Sequence, residues 1–145
     1  MRATGAALRV AVGRRYRFAA SHRLHTARLT EEENARVYGK CANPYGHGHN
    51  YVVEVTLTGP VDERMGMVAN LAALDEFVDR EVLDAFDHKN LNEEVAEFRE
   101  VVPTTENVCR EIFKRVAKFP EARLERVRVE ETGANSFECD EESGM

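Results

Sequence analysis

Two long runs of alternating apolar and polar residues constrain this chain more than any other feature. From Leu8 to His22, the even positions are Leu8, Val10, Val12, Tyr16, Phe18, Ala20 and His22. The odd positions are Arg9, Ala11, Gly13, Arg15, Arg17, Ala19 and Ser21, and Arg14 alone breaks the row. From Asn50 to Thr58, Tyr51, Val53, Val55 and Leu57 alternate with Val52, Glu54, Thr56 and Thr58, and Gly59-Pro60 ends the run. A period of two places alternate side chains on one face of a strand, so each run buries one face and wets the other. Extended backwards, the second run carries His49 and His47 on its apolar parity. His22 closes the apolar row of the first. Pairing the runs as a hairpin brings His22 towards His47 and His49.

The hairpin's connection is long. Arg23 to Lys40 is polar, with a helical turn predicted at Thr30 to Ala35, where Thr30 and Glu33 fit a capping box. Gly39 to Tyr51 then concentrates one thiol, two histidines and three glycines. After the second strand, Gly66 to Ala69 reads as a short extended piece and Asn70 as a helix N-cap. Leu71, Leu74, Phe77, Val78, Val82 and Phe86 have helical spacing. Asp87 to Asn92 is a polar cluster past the helix end, and Glu93 to Val101 is irregular. A second helix enters at Pro103 to Asn107, capped by Thr104 or Thr105, and presents Val108, Cys109, Ile112, Phe113 and Val116. Strands follow at Leu124 to Thr132 and Asn135 to Cys139.

This order, β-β-α-α-β-β, predicts an α+β fold: a four-stranded antiparallel sheet with two helices on one face. Its long open edges predict a homo-oligomer. The 145 residues make one domain, 1–145, with 1–7 and 140–145 as frayed ends. The net charge of −6 argues against a general nucleic-acid binder. It is unevenly distributed: seven arginines and no acid in the first thirty residues, four acids in the last eight. Some of those arginines are candidates to meet an anionic substrate. An odd set of three cysteines, Cys41, Cys109 and Cys139, suits a reducing cytoplasm rather than a disulfide scaffold. No apolar run reaches the length of a membrane span.

The chemistry gathers on few residues. His22, His47 and His49 form a three-histidine set that leaves zinc an open position for substrate or water. Cys41 is either a fourth ligand that closes the site or a reactive thiolate beside it, with Lys40 and the metal lowering its pKa. His25 has the wrong parity and reads as a surface residue; Cys109 reads as core. Asp87 and His88 at a helix end form either a C-terminal cap or a proton relay. Glu131 continues the apolar row of Val127 and Val129, and a buried carboxylate there needs a partner. A 2-amino-4-oxo ring edge, with two parallel donors, is one such partner. Glu106 is explained by the first turn of its helix but is a second candidate.

Several ordered motifs carry a resemblance. They are Phe18-Ala19-Ala20-Ser21-His22, Cys41 through Tyr51, Gly66 through Leu71, Asp87 through Asn92, Pro103 through Val108, and Glu131-Thr132. With them, the chain resembles the family of 6-pyruvoyltetrahydropterin and 6-carboxytetrahydropterin synthases from about Arg17 to Cys139. The resemblance implies a tunnelling fold in which trimers close a barrel and two trimers stack into a hexamer. It implies Zn2+ on His22, His47 and His49, Cys41 as general base, and Asp87 orienting His88 as its relay. It implies Glu131, with Thr105 and Glu106, around the pterin ring of 7,8-dihydroneopterin triphosphate. The five residues between Cys41 and His47 resemble the pyruvoyl-forming branch rather than the carboxy-forming branch of queuosine biosynthesis. A pterin aldolase of the same fold, or a non-catalytic zinc-stabilised binding module, are the competing readings. Gly133-Ala134 departs from the more polar residues common in animal members.

Overall fold

The computed structural model describes residues 8–141. Of the chain ends predicted to fray, 1–7 and 140–145, residues 1–7 and 142–145 lie outside the described residues. Strand β1, Val10–His22, pairs antiparallel with β2, His47–Gly59. Their register sets Phe18 opposite Tyr51, Ala20 opposite His49 and His22 opposite His47. The apolar parity therefore dictates the pairing, because a slip of one residue would turn both apolar rows to solvent.

Between them, α1, Glu31–Tyr38, begins with the predicted capping box: Thr30 accepts from Glu33 N, and Glu33 reaches back to Thr30 N. Asn34, buried in this excursion, donates to three backbone carbonyls and accepts from Thr26 N. A 3-10 turn at Gly39–Ala42 follows and carries Cys41.

Helix α2, Leu71–Val78, is capped by Asn70, whose side chain accepts from Ala72 N and Ala73 N. It runs through a π-turn at Asp79–Leu83 into α3, Asp84–Phe86. Arg115 steadies that turn by donating to the Glu81 carbonyl at 2.9 Å, while its guanidinium lies over Phe86. Lys89–Asn90 forms β3, followed by α4, Leu91–Glu94, and a 3-10 turn at Ala96–Arg99. Thr104 caps α5, Thr105–Val116, by accepting from Asn107 N. Strands β4, Arg123–Glu130, and β5, Ser136–Cys139, finish the described chain.

The sheet order is β3-β1-β2-β4-β5. The four predicted strands are present and mutually antiparallel. The sheet is nevertheless five-stranded and mixed, because β3 pairs parallel to β1 at Ala20 and Ser21. Two polar residues carry no periodicity, so this strand had no signal in the sequence. The long helix is likewise interrupted by its π-turn. A register shift between Thr56 and Leu57 lets both Leu124 and Val127 face inward, which strict alternation on β4 forbids.

The core lies between one sheet face and the helices. Phe18, Tyr51, Val53, Val55, Leu57, Leu124, Val127 and Val129 meet Leu74, Val78, Val82, Phe86, Val108, Ile112, Phe113 and Val116. Cys109 is buried here as predicted, and burial pushes its thiol pKa up to about 12. Helix and sheet residues thus share one contiguous cluster, with the histidine-bearing ends of β1 and β2 at its border.

Candidate active site

Three segments converge where β1 ends and β2 begins. The ladder sets His22 beside His47, with His49 one step along the same face. Gly46 makes the approach possible. Its φ is +72°, and a Cβ there would stand 2.9 Å from the His22 carbonyl oxygen, closer than any side chain tolerates. The 3-10 turn is tied to the end of β1 by Leu24 N donating to the Cys41 carbonyl at 2.7 Å and Arg23 Nε donating to Ala42 O at 3.2 Å.

The result is a compact donor set. Ligand atoms of His22, Cys41, His47 and His49 all lie within 4.8 Å of one another. Cys41 Sγ is 3.3 Å from His47 Nε2, which is 3.0 Å from His49 Nε2. His22 is buried, and its Nδ1 lies 2.8 Å from the Pro103 carbonyl oxygen. A carbonyl only accepts, so Nδ1 carries the proton and Nε2 presents a lone pair. That Nε2 is the one buried side-chain nitrogen or oxygen without a partner among the described residues. An orphaned acceptor aimed at two further imidazoles and a thiol fits a bound cation. Burial lowers the pKa of His22 and of His49, which keeps both rings neutral and free to ligate.

In the protein without a metal, burial, then the Glu131 charge, raises the Cys41 thiol pKa. In the protein alone the thiol therefore stays protonated; only a cation at the histidines would oppose both effects.

Glu131 sits one residue past β4 and remains largely buried. Thr105, the first residue of α5, donates its hydroxyl to Glu131 Oε2 at 2.5 Å, and that oxygen lies 3.7 Å from His49 Nε2. Two of the three residues expected around a pterin ring thus join the histidine cluster. Glu106 does not: it is exposed on the next position of the helix.

Asp87 and His88 pair with each other, His88 Nδ1 lying 3.0 Å from Asp87 Oδ1. The Ala19 N–H also donates to Asp87 Oδ1 at 2.9 Å, and this bond is the main reason the Asp87 pKa is lowered. His88 has φ 61°, the one positive value at a non-glycine residue among those described, and its backbone N–H donates to Ala19 O. Its ring is highly exposed and borders a cleft of about 360 Å³ that is also lined by Ser21, Gly48, His49, Asn50 and Lys89. No hydrogen bond or ion pair joins the dyad to Cys41 among the described residues. His25, expected at the surface, is half-buried and lies 3.1 Å from the exposed carboxylate of Glu31.

The Pro103 carbonyl and the Tyr51 hydroxyl escaped the sequence reading. A backbone carbonyl leaves no trace in residue identity, and Tyr51 looked like one more core aromatic.

Residues 11–142 match the family model described as 6-pyruvoyl tetrahydropterin synthase. The chain belongs to that family. It is 50% identical over 119 residues to the 6-pyruvoyl tetrahydrobiopterin synthase of Poecilia reticulata, covering 81% of each chain. It is 47% identical over 125 residues to that of Homo sapiens, covering 86% of each. The structure of Caenorhabditis elegans 6-pyruvoyl tetrahydropterin synthase superposes with a TM-score of 0.88 at 40% identity, over 94% of this chain and 98% of that one. The family expected from the ordered motifs is therefore established, and with it the family's fold.

Proposed function

We propose that this protein converts 7,8-dihydroneopterin triphosphate into 6-pyruvoyl-tetrahydropterin with loss of triphosphate, as a carbon-oxygen lyase of the cytoplasm. The observation that carries the reading is the convergence of His22, His47, His49 and Cys41, with Glu131 on its border. The identity to relatives named 6-pyruvoyl tetrahydrobiopterin synthase supports the product.

In this reading His22, His47 and His49 hold Zn2+. Zinc bound there supplies Lewis acidity towards a substrate side-chain oxygen and favours the thiolate of Cys41. Glu131, oriented by the Thr105 hydroxyl, accepts the two parallel donors of the 2-amino-4-oxo ring edge. That anchorage sets the ring's side chain against the histidine cluster. Cys41 then removes a carbon-bound proton. The electrons move into the dihydropterin ring, so the ring is reduced as its side chain is oxidised and no nicotinamide is needed. Triphosphate departs with its bonding pair. Pro103 O holds the His22 tautomer throughout.

Asp87 and His88 act as the proton relay. Within one chain no hydrogen bond or ion pair joins them to Cys41 among the described residues, so in this reading the relay reaches Cys41 in an assembly where a second copy presents its dyad. The open outer edge of β1, free beyond its short pairing with β3, suits the trimeric barrel and stacked hexamer that the resemblance implies.

The decisive experiment is incubation with 7,8-dihydroneopterin triphosphate and mass analysis of the products. Pyruvoyl product with triphosphate is expected. Carboxytetrahydropterin with acetaldehyde would move the chain to the other branch, and no conversion would sink both. Cys41→Ala should lower turnover about 10²-fold or more while zinc content is retained. Loss of zinc and fold together would instead make Cys41 a closing ligand.

A further inference from the structure

Arginines crowd the start of the chain, and an anionic substrate calls for one of them near the histidines. The fold sorts them. Arg14 is committed to Asp75 at 2.7 Å and Arg15 to Glu54 at 3.1 Å. Arg9 lies beside Gly59 and Pro60, at the opposite end of the β1–β2 ladder. Arg17 sits in mid-strand opposite Val52, and Arg28 is exposed in the excursion. Of these described arginines, only Arg23 adjoins the donor set.

Arg23 is held in place before any ligand arrives. Its backbone N–H donates to Asn92 Oδ1 at 2.7 Å, and its carbonyl accepts from Asn92 Nδ2 at 2.9 Å. Its Nε donates to the Ala42 carbonyl at 3.2 Å, which ties the side chain to the turn that carries Cys41. That bond engages only the inner nitrogen of the guanidinium. Nη1 and Nη2 make no hydrogen bond or ion pair among the described residues, and neither is a buried orphan. The residue is half-buried and its outer fork is open. A planar fork of this kind binds a phosphate through two parallel bonds.

Arg23 and Gly46 are the residues immediately beyond the His22–His47 ladder pair. Both line a cleft of about 240 Å³, which therefore opens off the ends of the two strands. Glu93 is the one carboxylate on its wall, and it is exposed. The sheet sets β1, β2 and β4 side by side. Glu131 follows β4, the histidines stand on β1 and β2, and Arg23 follows β1. A dihydropterin ring anchored on Glu131 carries its side chain past the histidines towards β1. The triphosphate is the last group on that side chain.

We infer that Arg23, with the cleft it lines, is the polyphosphate subsite: its terminal nitrogens grip the triphosphate of the substrate and hold its charge as it leaves. This inference rests on the reading of Glu131 as the ring's anchor and of the histidines as the side-chain site.

The test separates phosphate from ring in the full-length protein. Arg23→Gln keeps a donor for the Ala42 carbonyl and loses the charged fork. It should raise KM for 7,8-dihydroneopterin triphosphate about 10- to 100-fold, the size of a lost charge-assisted contact. Calorimetric titration with inorganic tripolyphosphate should show a loss of the same order. Titration with neopterin, which has the ring and side chain but no phosphate, should match wild type, as should zinc content. Arg23→Lys keeps the charge without the fork and should fall between. Glu93→Gln removes the negative charge on the wall and should tighten tripolyphosphate binding. Tripolyphosphate affinity unmoved by Arg23→Gln overturns the inference. So does an equal loss of neopterin affinity or of zinc, which marks Arg23 as a strut for the Cys41 turn. A loss that falls on Arg28→Gln instead also overturns it. Wild-type protein that binds tripolyphosphate through Arg23 but converts no substrate keeps the subsite and defeats the proposed reaction. Conversion with an unaltered KM in Arg23→Gln defeats the subsite alone.

Discussion

Gly46 and His88 hold the two non-standard backbone positions closest to the chemistry, and their demands differ. At Gly46 a side chain would meet both a positive φ and a backbone oxygen at 2.9 Å. A backbone atom at a strand end cannot step aside as a flexible side chain can. Gly46→Ala should cost about 2–4 kcal/mol and weaken zinc binding, read by denaturant melts and metal titration; a neutral result would mean the loop slides freely past β1. At His88 the left-handed conformation has open space, since the ring is exposed. Asparagine tolerates that conformation and keeps a polar side chain, whereas alanine pays about 1 kcal/mol of strain. His88→Asn should therefore melt like wild type while kcat falls about 10²-fold. Wild-type kcat in that variant would remove His88 from the relay.

The predicted elements proved as reliable as their local signals were strong. The capping box at Thr30 and Glu33, and the caps at Asn70 and Thr104, were legible because the bonds they make are short-range. Parity likewise located His22, since pairing two apolar rows leaves one register. β3 and the π-turn were not legible. The first is two polar residues captured by the Ala20–Ser21 edge, and the second is held by Arg115 from α5, 34 positions along the chain from Glu81, beyond the reach of a periodic reading. Asn70 offers a test at this scale. Its side-chain oxygen accepts from two backbone N–H groups, so Asn70→Ala should lower stability by about 1 kcal/mol and leave KM unchanged, since the backbone N–H of residue 70 still donates to Glu121. A loss of several kcal/mol would show that α2 depends on this cap far more than a helix of a packed domain should.

At the scale of the whole molecule, the buried histidines cost the unliganded protein stability at acid pH. His22 and His49 have pKa values depressed by burial, so the unfolded chain takes up protons before the folded one does. Stability in the presence of a chelator should be fullest above the unfolded histidine pKa of about 6.5 and fall as pH drops from there towards the folded values. Urea midpoints measured from pH 8 to pH 5 would show it. A flat profile would mean the rings are already solvated, contrary to the burial of His22. The candidate site as a whole was readable only in part. Its three histidines follow from the alternation of two strands. No hydrogen bond or ion pair joins the Asp87–His88 dyad to Cys41 among the described residues, and strand parity says nothing of a pair on a loop and a helix end.

The facing of His22 and His47 across the ladder has a kinetic meaning as well. These residues lie at the loop end of a hairpin whose connection is a long excursion, so they meet only when that loop closes. If the cluster holds a metal as proposed, its capture is a timestamp on strand registration. Cobalt added during refolding would acquire its visible ligand-field bands when β1 and β2 lock in step, and a chain paired one residue out of step would stay colourless.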